Sequence, residues 1–459
     1  MKKTIDILIE NTVVMPMNAD RKLILDASIA VKGKEIVDVG SSVELQGTYE
    51  AARKINGKNK LAMPGLINGH THLSGALARG MIDDLSLTPW IQKAFYFTSR
   101  GLDEENYYIS TMLLCLEMLK TGTTCFADCG TVEGMEQAAV SAIEKIGMKA
   151  VLGRTVMDVA DIHASSYKRR EVTTEENLVG GEEFIRRWNN AADGRIQAWL
   201  CLMLVPSVSD ELCVRASELV RKYGVGILLH ASVTPGEVEL CVEQHGLTPI
   251  QRLYHLGVLR PDLLASHAGW ITGRELILLK ETGASIIHVP SSSMKGAYGS
   301  LSMGKFPELV SIGVNVGLGS DGAPSSAFQD MVRVINLVAS GHKEARLDPR
   351  VMPSEDVVEM ATVNNAKALL WSDRIGVLEK GKRADIVLFD LMRPEWIPWN
   401  EKNLLSNLVY SASGNSADTV VIDGEIVMEE GVVKTVDEIE ILEKAQKMGM
   451  KFQELSNEW

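Results

Sequence analysis

Leu61-Ala62-Met63-Pro64-Gly65-Leu66-Ile67-Asn68-Gly69-His70-Thr71-His72 is an apolar run that ends in two imidazoles. In an extended strand, side chains two residues apart face the same side. His70 and His72 can therefore point at one ion from a rigid support. Seven further apolar, β-rich runs follow: Thr124–Ala127, Lys149–Thr155, Ile196–Val205, Val225–Leu229, Leu263–Ser266, Ala284–His288 and Val314–Gly319. Helix-like stretches separate them, among them Glu104–Leu119, Met135–Ile146, Asp210–Tyr223 and Arg274–Thr282. Runs buried on both faces, each followed by a helical connection, predict an α/β fold of the (β/α)8 TIM-like barrel type. A doubly wound open sheet fits the alternation alone, but no Gly-x-Gly-x-x-Gly follows the first strand to support nucleotide binding.

The flanks read differently. Ile5–Val14, Ala27–Val31 and Glu35–Val39 are short strands divided by the turn-prone Asn18-Ala19-Asp20 and Lys32-Gly33-Lys34. Ala384–Phe389 and Thr419–Met428 repeat that texture, the second with an Asp423-Gly424 hairpin signal. The expected organisation is one small β-sandwich domain formed by both termini (1–60, and 373–459 with a terminal helix) around a barrel at 61–372.

The 459 residues suffice for a barrel of about 250 residues and a smaller domain. A net charge of −13 argues against a nucleic-acid partner, because such proteins gather Lys and Arg. Six cysteines show no disulfide framework. Cys125 and Cys129 have a CxxxC spacing, but at the end of an apolar run they read as small hydrophobes rather than a metal or redox pair. The opening MKKTIDILIENTVV is broken by Asp6, Glu10 and Asn11, so neither an export signal nor a membrane span is expected, and the location is read as cytoplasmic.

Polar groups gather where the apolar runs end. Run one ends in His70 and His72, run five in His230, run six in His267, and run eight in Gly319-Ser320-Asp321-Gly322. In a barrel the carboxyl ends of the strands share one face, so these groups converge. Imidazoles with a carboxylate suit a borderline divalent ion such as zinc, or iron or manganese. Such an ion lowers the pKa of a bound water from 15.7 toward about 7, Asp321 can accept the water proton, and His267 can orient the nucleophile. Asp321 alone also reads as a helix N-cap, and His163, His245, His255 and His342 read as ordinary core or surface histidines.

Pro64–His72 resembles the first-strand signature of the amidohydrolase superfamily. Arg79-Gly80, Asp84-Leu85 and Trp90, with Gly317-Leu318-Gly319-Ser320-Asp321-Gly322, resemble the branch of atrazine chlorohydrolase and the methylthioadenosine/S-adenosylhomocysteine deaminases. Gly376-Val377-Leu378-Glu379-Lys380-Gly381 followed by Ala384-Asp385 is similar to the family's return into the sandwich. The resemblance covers nearly the whole chain. It implies hydrolysis of carbon–nitrogen or, more rarely, carbon–chlorine bonds of a small molecule, in a homo-oligomer. It also implies His70, His72, His230 and Asp321 as ligands of one zinc-like ion per subunit, with His267 holding the water. Binuclear members use a lysine at the end of strand four, and Trp199–Pro206 contains none.

The pattern departs from the family around the substrate. The deaminases carry a glutamate three residues after the fifth-strand histidine, where Val233 stands here. Glu237 is the candidate replacement as a catalytic acid, set against its plainer reading as a helix N-terminal charge beside Thr234-Pro235. Adenosine-type members have a glutamate where Ser99 stands, a histidine where Ser207 stands, and an asparagine at Ser293. Trp90, Arg154, Trp270, His288 and Ser293 are candidate substrate-binding residues, and Trp270, Met294 and Tyr298 candidate apolar walls. These departures argue against a nucleoside and for a smaller or less polar compound. The expected activity is hydrolytic deamination of a nitrogen heterocycle. Competing readings are hydrolysis of another C–N, C–Cl or C–S bond, and a catalytically weakened homologue acting as a binding protein.

Overall fold

The computed structural model describes residues 1–159 and 172–458. Five strands come first: β1 (Lys3–Val14), β2 (Ile24–Lys32), β3 (Glu35–Ser41), β4 (Tyr49–Asn56) and β5 (Lys60–Pro64). Eight follow with helices between them: β6 (Leu66–Thr71), β7 (Thr123–Thr131), β8 (Lys149–Val156), β9 (Ile196–Leu204), β10 (Ile227–Ala231), β11 (Leu263–His267), β12 (Ser285–His288) and β13 (Val316–Leu318). The last four are β14 (Ile386–Asp390), β15 (Ala417–Ile422), β16 (Glu425–Glu429) and β17 (Val432–Val433).

Strands β6 to β13 form one parallel sheet in chain order, the expected barrel. The other nine form a second sheet in the order β17-β16-β15-β14-β5-β1-β2-β3, with β4 beside β1. Its two halves meet where β5 pairs antiparallel with β14, Pro64 opposite Ile386 and Lys60 opposite Asp390. Ile7, Ile9, Ile29 and Val31 from one terminus pack there with Ile386 and Leu388 from the other. The apolar run at 61–67 is thus two strands rather than one. Its first half belongs to the terminal sheet and its second half opens the barrel. Gly65 lies at that crossing, where a Cβ would fall 2.2 Å from the Thr124 side chain.

Several helices start where the sequence offers an N-cap. The Asp103 carboxylate accepts from Asn106 N, and Thr173 and Thr272 form capping boxes with Glu176 and Glu275. The C-terminal helix Glu438–Glu458 lays Ala445 and Phe452 against Phe97 and Ile109 of the helices after β6. The barrel's seam between β13 and β6 has no backbone ladder. It is stitched instead by Asn365, whose Nδ2 donates to Ile67 O (2.6 Å) and Leu318 O (2.8 Å) while Oδ1 accepts from Leu318 N.

All six cysteines are buried and free, and burial pushes the Cys125 and Cys129 thiols well up, as small hydrophobes require. No helix among the described residues is long and apolar enough to cross a membrane. His163 lies outside the described residues.

Candidate metal centre

Every barrel strand delivers its last residues to one face, and there the histidines meet. The β10–β11 register pairs Ala231 with His267, which sets His230 and His267 close together on neighbouring strands. Across the seam, Asp321 N donates to His70 O at 2.9 Å. That approach needs Gly319, because a Cβ there would lie 2.6 Å from His70 Cβ. Asp321 Oδ2 is 4.0 Å from His70 Nε2 and 3.9 Å from His267 Nε2, and Oδ1 is 3.7 Å from His72 Nε2. Potential ligand atoms of His70, His72 and His230, and of His70, His267 and Asp321, all lie within 4.8 Å of one another in each set.

The electrostatics suit a cation. Burial, reinforced by the neighbouring imidazoles, holds His70 and His230 well below the ordinary histidine range. Burial holds His267 at about 4 against the pull of Asp321. These three rings are neutral at pH 7 and present lone pairs. His230 Nδ1 lies 2.6 Å from Met203 O, so that nitrogen carries the proton and Nε2 faces the cluster, 3.3 Å from His72 Nε2. Both ring nitrogens of His70 are buried without a hydrogen-bond partner. Orphaned buried polar atoms cost about 1–3 kcal/mol each, and a divalent ion would satisfy such a donor set. His267 and Asp321 also adopt left-handed backbone, φ +74° and +72°. Strain of roughly 1–3 kcal/mol per residue persists where surrounding bonds over-determine the conformation, commonly at functional sites.

The remaining candidate residues have partners of their own. Arg154 is not brought to this group. Its guanidinium pairs with Glu133 and Glu136 at 2.8 Å each and lies against Gly180, toward the covering helices, beside a groove of about 700 Å³. His288 is stacked on Phe306, centroids 3.7 Å apart, with Nε2 3.1 Å from His342 Nε2, a separate buried pair. Trp90 packs on the apolar cluster under the C-terminal helix. Trp270 donates to Tyr298 O at 2.7 Å, and Ser293 Oγ accepts from Ser300 N at 2.9 Å. Ser207 is engaged with Leu204, and Ser99 donates to Tyr96 O. Glu237 lies in the first turn of the helix Pro235–His245, capped by Thr234, as the plainer reading expects, but it is buried rather than solvated. Its oxygens accept from Ser232 N (3.0 Å) and Val233 N (2.7 Å), and burial lifts its carboxyl to about 7 against those two bonds.

One buried carboxylate escaped the sequence reading. Asp128, at the end of β7, accepts from Leu73 N at 3.1 Å and Thr131 Oγ1 at 2.6 Å, and so fixes the backbone immediately after His72. It follows the apolar run Thr124–Ala127 directly, the same signal that marked the other strand ends.

The amidohydrolase family profile matches residues 61–427. The chain belongs to the amidohydrolase family. Family relatives extend over almost all of it. The 5'-deoxyadenosine deaminase of Methanosarcina mazei is 33% identical over 96% of this chain and 97% of its own. The 5-methylthioadenosine/S-adenosylhomocysteine deaminase of Desulforudis audaxviator is 36% identical over 96% and 97%. Among solved structures, an adenosine deaminase from Xanthomonas campestris with bound zinc superposes with a TM-score of 0.91 at 27% identity, covering 99% of this chain and all of that one. The expected barrel with a sheet from both termini is the fold of this family match, and a zinc-bound neighbour agrees with the donor set described above.

Proposed function

We propose that this amidohydrolase is a metal-dependent hydrolytic deaminase, converting an amino-substituted nitrogen heterocycle and water into the oxo compound and ammonia. The observation that carries the reading is the convergence of His70, His72, His230, His267 and Asp321 within 4.8 Å sets at the carboxyl end of the barrel. A divalent ion held there supplies Lewis acidity that brings a water from a pKa of 15.7 toward about 7.

The side chains do the rest. Asp321 takes the proton from the attacking water, its carboxylate oxygens lying 3.7–4.0 Å from the Nε2 atoms of His70, His72 and His267. His267, 3.9 Å from Asp321 Oδ2, orients that water toward the sp2 carbon. The proton then passes to the departing amine. Val233 supplies no acid for this second transfer, which is the departure from the family pattern noted in the sequence.

The relatives' names put adenine nucleosides back among the substrates, against the expectation drawn from Ser99, Ser207, Val233 and Ser293. Ser207 and Ser293 each have an internal partner, which supports a nucleoside being held by other contacts. The amino heterocycle is what both lines share. The test is ammonia release by the zinc-loaded protein from adenosine, 5'-deoxyadenosine, 5-methylthioadenosine, S-adenosylhomocysteine, aminopyrimidines and aminotriazines. Release from at least one is expected. Release from none, with zinc bound, would overturn deamination, and chloride or thiol release would move the reaction to another bond.

A further inference from the structure

The seam that carries His70, His72 and Asp321 is crossed by the backbone bond from Asp321 N to His70 O and by side chains, among them Gln329. It lies between the helices Ala323–Ser326 and Met331–Arg346 and is fully buried. Its Oε1 accepts from Thr71 Oγ1 and Ser320 Oγ, each at 2.8 Å. Its Nε2 donates to Asp321 O at 2.7 Å and to Phe328 O at 3.1 Å. Two carbonyls on one side of the amide fix its orientation, since a flipped amide would set an oxygen against both. The main chain of Gln329 is anchored in turn, its N–H donating to Glu117 Oε1 at 2.8 Å. Asn68 completes the lattice, donating from Nδ2 to Ser320 Oγ at 2.7 Å and accepting from Ser320 N at 3.0 Å.

We propose that Gln329 is a positioning residue for the metal centre. Its amide ties the carbonyl of Asp321 to the strand bearing His70 and His72, and so holds the Asp321 carboxylate against the imidazoles. The need for such a brace is visible in the backbone. Asp321 sits at φ +72°, in the left-handed region, which a non-glycine residue occupies at some cost. Nε2 is the nearest donor to its carbonyl: the Ser320 and Thr71 hydroxyls, 3.0 and 3.2 Å away, each have one proton and give it to Gln329 Oε1 at the shorter 2.8 Å, and Ser326 Oγ lies at 3.4 Å. Residues that orient metal ligands typically contribute about 10–100-fold to metal affinity. Gln329 touches no reacting atom in this arrangement, and its effect is transmitted through Asp321.

The inference rests on the reading of this group as a metal site, and the experiment separates the two. Zinc affinity is measured by chelator competition on the full chain and on Gln329→Met and Gln329→Glu. The first keeps the volume and removes both sets of bonds. The second keeps the shape and replaces the donor to Asp321 O with an oxygen. Both are expected to bind zinc about 10–100-fold more weakly. Affinities within twofold of the parent, whatever the change in melting temperature, would overturn the positioning role alone. A parent that binds no zinc would overturn the metal-site reading and this proposal with it. Should neither variant fold, Thr71→Val removes one hydroxyl that seats the amide. A loss on the order of 3-fold is expected there, the size of one net hydrogen bond, and unchanged affinity would count against Gln329 equally.

Discussion

At the amino end of the barrel, Lys149 opens β8 with its ammonium 2.5 Å from Asp385 Oδ1 and 2.6 Å from Asp423 Oδ1, all three side chains buried. At the carboxyl end, four imidazoles and Asp321 gather more loosely, Asp321 lying 3.7–4.0 Å from three of the rings, and among the described residues no Lys or Arg pairs with Asp321. Both ends bury ionisable groups, and the amino end carries its own cation while the carboxyl end presents lone pairs and a carboxylate. The first is an ion cluster with its own cation, and it ties the barrel to the terminal sheet. The second is a donor set that could hold a cation. This division matches the general behaviour of such barrels, in which the carboxyl end serves chemistry and the amino end stability.

The comparison breaks most visibly at the carboxyl end. His70→Ala or Asp321→Ala is expected to lose zinc and to lower turnover by more than the roughly 10²–10⁴-fold of a single lost acid–base group. Zinc content and ammonia release are the measurements. Either variant retaining its metal and most of its activity would mean that the cluster is not the site.

At the amino end the expected effect is on stability. Lys149→Met leaves Asp385 and Asp423 buried together, with Lys34 3.9 Å from Asp423 as the nearest paired cation. Breaking a buried ion pair costs about 3–5 kcal/mol. Burial and the neighbouring Asp423 already raise the Asp385 carboxyl, so the variant is expected to be least stable where both acids are ionised. Urea unfolding should give the same loss with and without a zinc chelator, because distant sites add independently. A Lys149→Met protein that has lost zinc affinity would mean that the two ends are coupled.

The sequence disclosed the candidate metal centre better than the placement of the residues around it, and the reason is geometric. A ligand set must sit at strand ends and share one face, so each member leaves a mark where an apolar run stops. His70, His72, His230, His267 and Asp321 all carry that mark. A strand-end position alone does not say which way a side chain leaves, and Arg154 shows it. Thr155 Oγ1, one residue on, approaches Gly130 from the same side as His72 Nδ1, while Arg154 turns to the covering helices. His288 is likewise taken up by Phe306 and His342. The division of the first run at Gly65 was hidden because both halves are apolar. Gln329 left no local sign, since its partner Thr71 is 258 residues away.

Glu237 sharpens the comparison from the side of the carboxyl end, with the smallest expected effect. As a proton carrier it would substitute for the acid missing at Val233. The structure instead spends both its oxygens on the N–H groups of Ser232 and Val233, at a turn where Ser232 adopts φ +53°. A brace of that kind predicts a stability signature. Its folded carboxyl, at about 7, lies above its ordinary 4.5, so between those values the native state holds a proton that the unfolded chain has released. The contribution is therefore full below about 4.5 and is lost as pH rises through about 7, a span worth at most roughly 3 kcal/mol. Glu237→Gln should remove that slope from unfolding curves taken between pH 5 and 8, and should leave kcat/KM within about tenfold. A loss of roughly 100-fold or more, within the range for acid–base catalysis, together with disappearance of a limb near pH 7 in the rate profile, would instead make Glu237 the proton carrier and extend the catalytic end of the barrel to the helix after β10.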